Sequence, residues 1–95
     1  MKKIEKMIHH IKDELEGAEH YAEKYVMYKN TNSEWANLFH QMSIDELDHA
    51  DSLHKMSEEF ISKLPYIPEK DEEDWDRCVK RISETTASVR LLLSK

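Results

Sequence analysis

Glycine and proline are nearly missing from this 95-residue sequence, which holds one of the first and two of the second. Average usage would supply about eleven of the two together. Hairpin-rich β-folds need glycine at turns of positive φ, and phosphate-cradling loops need it for close backbone approach. Gly17 alone supplies neither. Cysteine is limited to Cys78, so no internal disulfide can form, which fits a reducing cytoplasm. Apolar runs such as Leu91-Leu92-Leu93 are far too short to cross a membrane. The charged start Met1-Lys2-Lys3-Ile4-Glu5-Lys6 has no apolar stretch of the kind a signal peptide carries. A basic stripe is also lacking: 14 Lys and Arg stand against 20 Asp and Glu, a net charge of −6. Nucleic acid is therefore not expected as a partner. These absences leave an all-α chain, a single domain over residues 1–95, expected in the cytoplasm.

The acid is concentrated. In residues 31–64 only Lys55 and Lys63 face Glu34, Asp45, Glu46, Asp48, Asp51, Glu58 and Glu59, whereas the flanking segments are close to balanced. An acidic middle suits cations or a basic partner.

Periodicity predicts three helices, at about 2–29, 34–63 and 72–93. In the first, Ile4, Ile8, Ile11, Leu15, Ala18, Ala22 and Tyr25 alternate spacings of four and three, the seam of a helix packed on helices. Met7, Glu14, Tyr21 and Tyr28 run beside that seam. Gly17 lies off it and costs the helix about 1 kcal/mol relative to Ala, with no local reason. Asn30-Thr31-Asn32-Ser33 is a break rich in N-capping residues. The second helix has the apolar stripe Trp35, Leu38/Phe39, Met42, Leu53, Met56 and Phe60, expected to be its packed seam. Leu64-Pro65-Tyr66-Ile67-Pro68 stops that helix. The acids from Asp71 to Asp74 then suit a third helix N-terminus, and Trp75, Val79, Ile82, Thr86, Val89 and Leu93 form its apolar face.

The stripe of the second helix is interrupted at its centre by Glu46 and His49, three residues apart and so on one face. A carboxylate and an imidazole in an apolar stripe require hydrogen bonds or a metal ion to satisfy them. An acid-x-x-His pair alone says little, since Asp51-x-x-His54 is a second instance placed round the helix. Position says more. With the turn near residue 31, residues of the two helices whose numbers sum to about 62 lie at equal height. Glu14 then falls level with the Glu46/His49 pair, about 22 Å from the turn at ~1.5 Å per residue. Glu19 flanks the seam on its other side as a reserve ligand, while Glu16 points to the polar face.

These residues resemble the ligand pattern of the ferritin-like di-iron carboxylate group, whose bundles combine a Glu from each of two helices with a Glu-x-x-His from each of the other two. Here one half-set is present, Glu14 with Glu46-Leu47-Asp48-His49. The Glu14-x6-Tyr21 spacing resembles the first helix of rubrerythrins and bacterioferritins, which implies that Tyr21 lies near the metals without binding them. A short chain holding half a site resembles the encapsulated ferritins. That resemblance implies a ferritin-like antiparallel helical hairpin plus a third C-terminal helix, with a four-helix bundle completed by dimerisation. It also implies two Fe ions per dimer held by Glu14, Glu46 and His49, Fe(II) oxidation by a ferroxidase, and a place inside a protein compartment. Glu14 and His49 would be terminal ligands and Glu46 a bridging one. Mixed carboxylate and imidazole donors suit Mn or Zn as well.

The alternative is a non-catalytic helical assembly protein in which the three residues form a buried polar cluster that fixes helix register, with no metal. For the remaining residues the default readings are structural. Tyr25 and Tyr28 pack with their hydroxyls outward. His9, His10 and His20 belong to a solvated face, and His54 to a helix edge. Met7, Met42 and Met56 fill the core.

Overall fold

The computed structural model describes all residues 1–95 as three α-helices with no strand: α1 Lys2–Tyr28, α2 Ser33–Ser62 and α3 Glu69–Leu93. No helix is long and apolar enough to cross a membrane. The chain is a rod of 53 × 17 × 16 Å. Its radius of gyration of 15.4 Å exceeds the ~12 Å of a compact domain of this length. Helices of 27, 30 and 25 residues lying side by side produce that shape.

The expected seam of α1 is its buried face. Ile4, Ile11, Leu15, Ala18 and Ala22 are fully covered, while Ile8 and Tyr25 are half-buried at its margins. The break falls where the turn residues stand. Asn32 caps α2 by accepting a hydrogen bond from the Trp35 backbone N–H at 3.1 Å. The chain reverses there, so α2 runs antiparallel to α1.

The packed face of α2 corrects the expectation. It is not the stripe of large residues but a run of small ones at intervals of seven, Ala36, Ser43, Ala50 and Ser57. Small side chains let the α1 and α2 backbones approach closely. The Ser43 hydroxyl accordingly donates to the Ala18 carbonyl across the two helices at 2.7 Å. The large stripe is displaced to the flank. Trp35, Leu38 and Met56 are 51%, 56% and 67% exposed, and Phe39, Met42, Leu53 and Phe60 are half-buried. Met56 is thus not core filler.

The third helix packs in the groove on the other side of the hairpin. Trp75 and Cys78 join Ile11, Leu15 and Ala50 in one cluster, and Val89 joins Ala18 and Ala22 in another. It begins at Glu69, one turn before expectation, because Pro68 sets an extended entry (φ −57°, ψ 143°) and the chain coils at once. Asp71 does more than favour the helix dipole: it is buried and pairs with the Met1 ammonium at 2.8 Å. At the opposite end the Tyr25 hydroxyl donates to the Lys95 carbonyl at 3.4 Å, so α3 runs parallel to α1. Burial pushes the Cys78 thiol pKa up, which disfavours the reactive thiolate.

Candidate metal centre

Side-chain contacts between α1 and α2 run as a ladder along the flank left open by α3. Tyr28 meets Trp35 edge-on with ring centres 5.1 Å apart, and Tyr21 stacks on Phe39 at 6.0 Å. Further along, Gly17 faces Glu46 and Glu14 faces His49. The Lys3 ammonium sits 4.9 Å above the Phe60 ring near the far end. Most of these partners sum to 63, close to the height rule that placed Glu14 beside the Glu46/His49 pair.

The middle rungs converge. One donor atom from each of Glu14, Glu46 and His49 lies within 4.8 Å of the others. Both carboxylates address the same imidazole nitrogen: His49 Nδ1 is 3.2 Å from Glu14 Oε2 and 3.7 Å from Glu46 Oε1. The three are not buried in a single chain as the stripe implied. The side chains of Glu14 and Glu46 are about one quarter exposed (28% and 25%), and that of His49 is 58% exposed. The site is a patch of acid and imidazole groups in the middle of an otherwise apolar flank.

Electrostatics follow from the crowding. The pKa of Glu46 is pushed up to about 7, first by burial, then by a hydrogen bond with Glu14 and by repulsion from that second carboxylate. His49 opposes the shift and Asp45 adds to it. Two carboxyl groups this close hold a proton between them near neutral pH, and a cation can take the place of that proton.

Gly17 has its explanation here. A Cβ at this position would stand 2.7 Å from Glu46 Oε2 and 3.3 Å from its Cδ. Any larger residue would press the carboxylate away from Glu14 and His49. The signal was present as an unexplained mid-helix glycine level with the candidate ligands, but its partner lies 29 positions away.

The other candidates separate cleanly. Tyr21 stays on the same flank, stacked on Phe39 and tilted against His20, with its contacts on the turn side of the three-residue group. Glu16 reaches Arg81 at 3.6 Å, and Glu19 is half-buried outside the group. The second acid-x-x-His pair is divided: Asp51 pairs with Lys55 at 3.0 Å, while His54 turns to Glu58 at 3.2 Å and lies against Trp75. His9 pairs with Asp13 at 3.5 Å on the exposed side of α1.

Two carboxylates and one imidazole form a donor set for Fe, Mn or Zn rather than Ca. A metal ion held by these three donors would have room for further ligands. No protein-family model matches the chain, and no curated protein or solved structure is detectably similar to it.

Proposed function

We propose that the chain binds transition-metal ions at a subunit interface, through Glu14, Glu46 and His49, and oxidises Fe(II) there. The observation that carries the reading is the convergence of these three donors, with a carboxylate proton ready for displacement, at the centre of an exposed apolar flank. The resemblance to ferritin-like di-iron carboxylate proteins supplies the remainder. Two copies joined by this flank make a four-helix bundle in which four carboxylates balance the charge of two divalent ions. Glu14, Glu46 and His49 would hold the ions, Glu14 and His49 as terminal ligands and Glu46 shared between them, with Tyr21 nearby.

When bound, two Fe(II) ions would supply one electron each and become Fe(III), while O2 takes up the two electrons with two protons and leaves as hydrogen peroxide. The chain's own residues have simpler tasks. Glu46 gives up its proton on binding and takes a share of the positive charge. Gly17 leaves the space in which that carboxylate is held. The aromatic and thioether side chains on either side exclude water once the flank is covered.

The test is the metal content of protein purified without chelator, compared with Glu46→Ala. About one ion per chain in the wild type and a clear loss in the variant are expected. Less than a tenth of an ion per chain in both removes the metal reading. Loading with Fe(II) without oxygen and then admitting air separates oxidation from plain binding: no rise in absorbance means no oxidase.

The open flank itself favours a second reading, a helical assembly protein without metal. Chelator distinguishes the two, since only a metal protein changes its oligomeric state or melting temperature when the ion is removed.

A further inference from the structure

Leaving aside Leu38, whose counterpart Ser57 is buried, the flank stripe of α2 is close to a chemical palindrome. Counting inward from both ends, Trp35 corresponds to Phe60, Phe39 to Met56 and Met42 to Leu53, and every pair of numbers sums to 95. The central pair, Glu46 and His49, obeys the same sum. Three apolar positions therefore stand on each side of one acid and one base, with intervals of four and three that read identically in either direction.

We infer that the partner covering this flank is a second copy of the chain, with the two α2 helices antiparallel and residue i set against residue 95 − i. A two-fold axis perpendicular to α2 then passes between Glu46 and His49. Such an interface is isologous: every contact occurs twice, and a stripe can satisfy itself only if its two halves match. In this register aromatic meets aromatic at the ends and thioether meets ring or leucine further in. Glu46 of each copy faces His49 of the other, so that a carboxyl group meets an imidazole. A parallel pairing would set Glu46 against Glu46 and His49 against His49, like against like.

Surface area agrees with a missing partner. The chain exposes 6443 Å², against about 5,800 Å² for a compact monomer of its mass. The excess is of the order of the ~800 Å² that each partner buries in a standard interface. The third helix lies on the opposite side of the hairpin, and of the stripe residues only Leu53 is packed against the cluster it shares with α1 and α2.

This inference rests on the self-association in the reading above and not on its metal chemistry, and crosslinking tells the two apart. Met42→Cys and Leu53→Cys are made as separate variants, mixed in denaturant, refolded together with chelator present, and oxidised. The mixture is expected to give a covalent 42–53 dimer. Each variant alone should give at least tenfold less, because two copies of position 42 lie about 16 Å apart along the helices in this register. The wild type, whose only thiol is the buried Cys78, is the blank. Crosslinking of Met42→Cys to itself as efficiently as in the mixture overturns the register. So does a wild-type chain that sediments as a monomer at high concentration with and without Mn(II). A 42–53 dimer that holds no metal keeps the register and removes the metal reading, whereas a metal-loaded monomer does the reverse.

Discussion

Two faces of α2 teach opposite lessons about hydrophobicity. The face turned to α1 and α3 carries Ala36, Ser43, Ala50 and Ser57, and it is buried. The flank carries Trp35, Leu38, Phe39, Met42, Met56 and Phe60, and much of it is exposed. Within one chain, close approach of helix backbones decides what is buried, and small residues achieve it. The larger apolar area lies where a single chain has nothing to set against it. A face can therefore be structurally settled with little hydrophobicity, while a strongly hydrophobic one stays open.

The largest expected effect sharpens the role of the polar break in the exposed flank. Fe(II) or Mn(II) at a hundredfold excess over its dissociation constant should stabilise the chain by about 2.7 kcal/mol in urea titrations. Glu46→Ala and His49→Ala should abolish that gain. The pH dependence carries a sign of its own. Glu46 titrates near its ordinary 4.5 in the unfolded chain and at about 7 when folded. Between those values the folded state holds the extra proton, so stability without metal falls as pH rises from 4.5 to 7 and levels off above. Metal binding should strengthen over the same interval, because the ion must displace that proton.

Next in size is an attempt to make the buried face resemble the exposed one. Ala50→Leu inserts three heavy atoms where helix backbones are in near contact, and should destabilise the chain by about 1–3 kcal/mol in urea denaturation. A neutral result would mean that the small-residue face is not closely packed.

Gly17→Ala tests the join between the faces and gives opposite signs in two measurements. The metal-free chain should gain up to about 1 kcal/mol from helix propensity. Metal affinity should fall by tenfold or more, because the new methyl group displaces the Glu46 carboxylate. An unchanged affinity would remove Gly17 from the site. The smallest effect belongs to the flank: Met56→Gln should alter the stability of the isolated chain by less than about 0.5 kcal/mol while weakening self-association, as read by sedimentation.

What the sequence conveyed follows from the range over which each signal acts. The seam of α1 was legible because isoleucines and a leucine at helical spacing report burial directly. Glu14, Glu46 and His49 were brought together by the turn position and the rise of an α-helix, and the structure places their donor atoms side by side. The packed face of α2 is not legible because alanine and serine carry little hydrophobic signal, and the stripe of large residues outweighs it. Asp71 resembled an ordinary helix-start acid, since the ammonium that pairs with it lies 70 residues away. Gly17 stayed unexplained for the same reason: what fills the space above it is a carboxylate from another helix.

Sulfur is sorted by depth in this molecule. The single thiol, Cys78, is sealed between α1, α2 and α3 with its proton held on, while the thioethers of Met27 and Met56 stand in the open. An oxidant arriving from solvent meets methionine well before it meets cysteine. Damage would then accumulate first as methionine sulfoxide, a lesion that reductases repair, and only after unfolding as irreversible acids of cysteine. Mass spectra of aged protein would show this order as a history of exposure, written in Met27 and absent from Cys78.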